Sequence, residues 1–163
     1  MRNALLTALV VVCLGTGVAA ARPQGLGLGL MAGEPTGLSA KVWTGGNIAF
    51  DAGLGYSYWW HGQALHIHGD VLWHTNSLLQ SGDGFLPFYI GVGARVKLAD
   101  EKHEYPDMRV GIRVPFGLEY VFASVPVGLF LEVVPVIDLA PGTGFSGNSA
   151  IGFRYYFGGN ARN

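Results

Sequence analysis

Charge is scarce in this sequence. Asp, Glu, Lys and Arg make up 13% of its 163 residues, and the formal charge is -1 with His neutral. The few basic residues form no run or stripe that could neutralise successive phosphates, so nucleic acid is excluded as an expected partner. Cysteine is nearly absent. The single thiol, Cys13, falls in a segment that reads as a removable leader, which leaves the rest of the chain with no thiol to oxidise in an oxidising compartment. A membrane-crossing helix needs about twenty consecutive apolar residues, and the apolar run Ala4 to Leu14 is shorter and is followed by Gly15 and Gly17. Phosphate loops are missing too, because no helical pattern follows the glycine-rich Gly25-Leu26-Gly27-Leu28-Gly29 to supply an N-terminus. Ser57, Ser77, His61 and His74 are at hand, but no spacing isolates a nucleophile with its base, so no catalytic residue and no cofactor is expected.

What is present is apolar residues at 50%, aromatic residues at 12% and 26 glycines, a composition that suits one β-rich or membrane domain and not a disordered chain. Residues 1–21 read as a signal peptide: Arg2 forms the positive start, residues 4–14 the apolar stretch, and Val18-Ala19-Ala20-Ala21 the small-residue cleavage site. Residues 22–163 are then the mature domain, with the envelope as its expected address.

After Pro23 the hydrophobic period is two, the mark of strands with distinct faces. Eight segments alternate in this way, from Leu26-x-Leu28-x-Leu30 through Ile48 to Tyr58 and Val110 to Phe122, ending with Ile151-x-Phe153-x-Tyr155-x-Phe157. No charge interrupts that face. The opposite face collects Lys41, Asp51, His66, His68, Asp70, His74, Arg95, Lys97, Arg109, Arg113, Glu119, Glu132, Asp138 and Arg154, separated by glycines. Two architectures compete: a soluble sandwich or lipocalin-like barrel with the uncharged face inside, and a membrane barrel turned inside out. The second is favoured because a charge facing lipid at mid-bilayer costs about 2–4 kcal/mol, which accounts for the complete absence of charge there. Several segments also approach the roughly 9–11 residues a tilted spanning strand needs. Aromatic residues fall into two girdles, Trp73, Phe88, Tyr120, Phe122, Tyr155 and Phe157 at one rim and Tyr56, Tyr58 and Trp59 at the other, as a membrane-water boundary would select. The expected fold is therefore all-β, an eight-stranded antiparallel up-and-down transmembrane β-barrel.

The opening strand from Gly25 to Gly33, the stretch Arg109-Val110-Gly111-Ile112-Arg113-Val114-Pro115-Phe116-Gly117, the stretch Glu132-Val133-Val134-Pro135 and the closing Gly152-Phe153-Arg154-Tyr155-Tyr156-Phe157 resemble the eight-stranded outer-membrane barrels typified by the OmpA transmembrane domain and OmpX. The likeness is greatest to a branch of short, functionally uncharacterised barrels. It implies an outer-membrane address and a closing strand, ending in Phe157, that is read by the outer-membrane assembly machinery, although Gly158 to Asn163 follow where the family usually stops. Nothing after Phe157 supports an anchor to the cell wall. Pro115 and Pro135 each remove a ladder donor and predict a bend or bulge.

An eight-stranded barrel is filled by its own side chains or holds one small ligand. Arg95, Arg113 and Arg154 are expected to pair with Glu119, Glu132 and Asp138 as a plug, since buried charges must be matched. His66, His68, Asp70 and His74 lie on one face of the fourth segment and form a candidate metal site, against the plainer reading that they are ordinary polar lumen residues. The leading functional expectation is a monomeric, non-enzymatic outer-membrane barrel. It would contact membrane lipid and lipopolysaccharide and serve envelope integrity or surface interaction through outward loops at residues 99–107 and 140–148. A narrow pore and, less favoured, a lipid-modifying enzyme are the alternatives.

Overall fold

The computed structural model describes residues 25–58, 64–75, 78–81, 83–99 and 107–158. The expected signal peptide, Trp59, His61, Ser77 and the centre of the loop at 99–107 lie outside these residues. Eleven strands form one antiparallel sheet: β1 (Gly25–Glu34), β2 (Thr36–Trp43), β3 (Ile48–Ser57), β4 (Ala64–His74), β5 (Leu79–Ser81), β6 (Gly84–Leu86), β7 (Phe88–Ala99), β8 (Asp107–Arg113), β9 (Phe116–Phe122), β10 (Val127–Ala140) and β11 (Gly144–Phe157). There is no helix among the described residues.

Strands β8 and β9 share the same two neighbours, β7 and β10, so they are the halves of one interrupted strand. With that pair counted once, the order β1-β2-β3-β4-β7-β8/β9-β10-β11 has eight positions, and β11 pairs back onto β1 from Leu26↔Phe157 to Glu34↔Ser149. The eight strands close into a ring. One end holds the start of β1 and the finish of β11 and is called the terminal end below; the other is the far end.

The interruption falls at Val114 and Pro115. The ladder from β10 stops at Val136↔Arg113 and resumes at Val133↔Phe116, bridged by Val114 N donating to the Pro135 carbonyl at 3.0 Å. On the other side Gly91 N donates to the Pro115 carbonyl at 2.9 Å. Pro115 thus breaks its strand as expected, but Pro135 does not. Its missing N–H would face Val114, so Pro135 removes the return bond of that pair just as Pro115 removes the one toward Gly91, yet β10 stays continuous because its other edge remains paired with β11 at Pro135↔Gly147. The irregularity in β10 comes later, as a register shift between Asp138 and Ala140.

Two connections between long strands contain strand, one of them the expected loop at residues 140–148. Strands β5 and β6 form a hairpin extension: Thr75 N donates to Phe88 O, Leu78 N to Leu86 O, and β6 pairs with β9 at Gly84↔Phe122 and Phe85↔Val121. Strands β4 and β7 therefore run on, through β5 and β6, past the terminal end. Residues 144–148 belong to β11 and pair with β10 from Asp138↔Gly144 to Val134↔Asn148, which leaves residues 141–143 as the connection. The reason is the same alternation seen elsewhere, with Phe145 and Gly147 facing out and Asn148 facing in.

Burial alternates along the long strands, as in β3, where each outward residue is followed by a buried one, with one slip of phase in β1, where Ala32 and Gly33 are both exposed before the buried Glu34. The outward set is apolar: among the described residues thirty-one large hydrophobic side chains are exposed, against twelve apolar residues that are buried. Of the charged side chains described, Asp83 at the hairpin tip is the only exposed one. The ring is polar within and apolar without.

Candidate functional site

The inner face is a charged network made by strands far apart in sequence. Lys41 on β2 donates to Glu119 on β9, which also accepts from the Tyr156 hydroxyl. Arg154 on β11 reaches across to β3, where its Nη2 lies 2.6 Å from Asp51 Oδ2, while its Nε donates to Ser39 at 2.9 Å and its Nη1 is 3.8 Å from Glu119. The Arg154 guanidinium also lies over the Phe130 ring, 3.9 Å from its centroid. Arg113 on β8 stands between two carboxylates, with Nε 3.0 Å from Asp70 Oδ1 and Nη2 2.9 Å from Glu132 Oε1. Tyr89 donates to the other Glu132 oxygen at 2.9 Å.

Toward the far end Arg95 donates to Asp138 (2.7 and 3.0 Å), Asn148 (2.6 Å) and Ser146 (2.7 Å). Close to the rim Lys97 meets Glu34 at 2.8 Å. The network is dry where it matters: Lys41 and Glu119 are wholly buried, and Arg113 and Arg154 nearly so. Moving such ions out of water costs several kcal/mol each, so only this density of pairing and hydrogen bonding makes the arrangement tolerable.

Inward glycines create the room. A side-chain carbon at Gly117 would fall inside the Tyr89 ring, and one at Gly53 would meet the His68 ring. Gly53, Gly93, Gly111 and Gly117 are thus spaces taken by side chains from neighbouring strands, whereas at Gly55 the backbone of β2 itself approaches closely.

All six residues of the expected network are in it, but the pairing differs from a one-to-one match of those six. Arg95 meets Asp138 and Arg113 meets Glu132, whereas Arg154 takes Asp51 as its close partner and Glu119 takes Lys41. Lys41 and Asp51 were legible as inward residues; their partners, 78 and 103 residues away, were not.

The four residues of the candidate metal site separate into two places. His66 and His68 lie edge to face with ring centroids 5.3 Å apart, and His68 and Asp70 gather with Asp51. His74 sits apart near the terminal end, where its Nε2 accepts from Lys41 at 2.8 Å and its ring packs on Trp43 and Tyr89. Sharing a face was not enough, since six residues of strand separate His68 from His74 by about 20 Å. Asp51 was the missed member, and the β3–β4 register that sets Asp51 against Asp70 is what supplies it. Ser57 Oγ is 3.2 Å from His66 Nδ1, but both are buried inside the ring, away from its apolar surface.

Of the aromatic residues, Trp73, Phe88, Tyr120, Phe122, Tyr155 and Phe157 all lie toward the terminal end, with Tyr120 against Phe122 and Tyr155 against Phe157 edge to face. Tyr56 and Tyr58 lie toward the far end, joined there by Phe145, which is 79% exposed and had been read as loop.

No protein-family model, curated protein or solved structure matches the chain.

Proposed function

We propose that the ring is a transmembrane β-barrel of a bacterial outer membrane, exported on a cleaved signal peptide. It acts without catalysis, as a plugged, monomeric envelope element that presents its far-end loops outward. The observation that carries this reading is the outer surface, where large apolar side chains are exposed in every long strand and no described charge is exposed except Asp83. In water such a surface would far exceed the few hundred Å² of contiguous apolar patch that monomeric soluble proteins carry. In lipid it is the required surface, and closure of the ring removes the unpaired strand edges that lipid cannot hydrate.

Dimensions agree. The outward apolar residues Leu129 to Leu139 of β10 cover about 33 Å of strand, which stands roughly 25 Å tall at the tilt usual for such barrels. The terminal end carries the turns at residues 44–47 and 123–126 together with the β5–β6 hairpin, and the far end carries the turn at Pro35 and the connections at 58–63, 100–106 and 141–143. The closing Gly152 to Phe157 would be the segment read by the assembly machinery, in keeping with the resemblance to OmpA-like and OmpX-like barrels. The outer surface would contact lipid and lipopolysaccharide.

The test is refolding of residues 22–163 into detergent micelles, with migration in SDS gels compared before and after boiling. A heat-modifiable, β-rich species that aggregates without detergent is the expected result. A species that stays monomeric and folded in plain buffer would reject the membrane reading and favour a soluble binding ring. The same refolded protein should be silent in planar-bilayer recordings, because the paired side chains fill the interior; discrete conductance steps would move the assignment to a narrow pore.

A further inference from the structure

Ten buried side-chain atoms of the described interior have no hydrogen-bond partner, and six of them belong to His66, His68, Asp70 and Arg113, the others to Trp43, Arg95, Asn148 and Arg154. His66 Nε2, His68 Nδ1 and both carboxylate oxygens of Asp70 are buried without a hydrogen-bond partner, in side chains that are 0%, 7% and 4% exposed respectively. Arg113 Nε is within ion-pair distance of Asp70, but not in hydrogen-bonding geometry. Buried polar atoms are nearly always bonded, so several unsatisfied ones in one place require an explanation.

The charges nearby do not balance either. Three cations, Lys41, Arg113 and Arg154, face four carboxylates, Asp51, Asp70, Glu119 and Glu132.

We propose that Asp51, His68 and Asp70 form a binding site for a divalent transition-metal ion inside the ring. One ligand atom from each of the three lies within 4.8 Å of the others. Ligands at about 2.1 Å from a shared ion stand no more than about 4.2 Å apart, a difference that side-chain rotation can close. The hairpin builds the site directly: Asp51 is opposite Asp70 and Gly53 opposite His68, and the missing side chain at Gly53 leaves space for the imidazole.

Imidazole nitrogens with carboxylates suit zinc, copper or nickel, whereas calcium requires six to eight oxygens and magnesium keeps several waters. Arg154 on Asp51 and Arg113 beside Asp70 would act as outer partners that orient the ligating carboxylates. Charge alone does not select the ion, since a divalent cation takes the local sum from -1 to +1. A proton on Asp70 would neutralise that sum without engaging the imidazole of His68, which a metal ion would take as a ligand.

The probes are Zn(II) and Cu(II), supplied alone during refolding of tag-free residues 22–163, because the site is buried. After desalting, elemental analysis should find one metal per folded chain, and the Cu(II) form should show nitrogen hyperfine coupling in its electron paramagnetic resonance spectrum. His68→Ala and Asp70→Asn should each weaken binding about 100-fold, while His74→Gln should retain it. Folded wild-type protein without stoichiometric metal would overturn the proposal, as would equal affinity in folded His68→Ala and Asp70→Asn. If both variants fail to fold, the wild-type spectrum decides, since a copper signal without nitrogen coupling rejects the site. None of these readouts depends on the heat-modifiability that tests the membrane assignment.

Discussion

Arginine in place of Val133 is expected to destabilise the folded ring in a phospholipid bilayer by about 2–4 kcal/mol, and arginine in place of Leu139 by about 0–1 kcal/mol. Both residues face outward on β10, 57% and 50% exposed, but Val133 is near the middle of the strand and Leu139 one residue from its end. If lipid surrounds the ring, the cost of a guanidinium depends on depth, because near the interface the long side chain can reach water. If water surrounds it, both substitutions replace an exposed apolar side chain by a charged one and fall within the small range usual for surface changes. Reversible denaturant unfolding in vesicles, followed by tryptophan fluorescence, measures the difference. Equal, small effects at the two positions would refute insertion.

The second large effect is at the centre of the ring. Arg113→Ala removes the cation between Asp70 and Glu132 and is expected to cost about 3–5 kcal/mol, since it leaves buried carboxylates without their counter-charge. Replacing all three together by apolar residues, as Arg113→Met, Asp70→Leu and Glu132→Leu, should cost far less than the single substitution, because no uncompensated ion then remains. A loss below about 1 kcal/mol for Arg113→Ala would mean that water already reaches these carboxylates, as it does at exposed pairs. That outcome would argue against a plugged interior and for a pore.

How much of this could be read in the sequence depends on the range over which each feature is determined. Which face a residue occupies is local, because side chains alternate strictly along a strand, and the inward placement of Lys41, Asp51, Arg95, Arg113, Glu119 and Arg154 followed from alternation alone. Partners across the ring depend on its width and on the stagger of its strands, which no local spacing encodes. Arg154 could be placed inside but not matched to Asp51. Register is intermediate in range. Asp51 would have joined His68 and Asp70 had the β3–β4 pairing been fixed, but that pairing passes through residues 59–63, whose composition specifies no turn type. The hairpin extension was illegible for another reason: three-residue pieces such as Gly84–Leu86 have too little alternation to register, and they exist because β9 extends far enough to pair with them. Pro135 removes the ladder bond that Val114 would accept, as expected, but its strand stays continuous because the edge toward β11 remains paired, and which edge a proline disturbs is again not encoded locally.

The closing seam has a kinetic consequence. Leu26 pairs with Phe157, so the contact that completes the ring joins positions 131 residues apart, numbered at the two ends of the described chain. Bringing such distant points together carries a loop-closure cost of about 4 kcal/mol before any ladder bond at the seam compensates for it. During synthesis β1 emerges long before β11, its partner at the seam. The chain must therefore be kept from committing to other pairings until β11 is available, and any product that stops short of it would retain two open edges able to recruit a second chain. Completion is thus a late, all-or-none event, and premature termination is the failure to which this topology is most exposed.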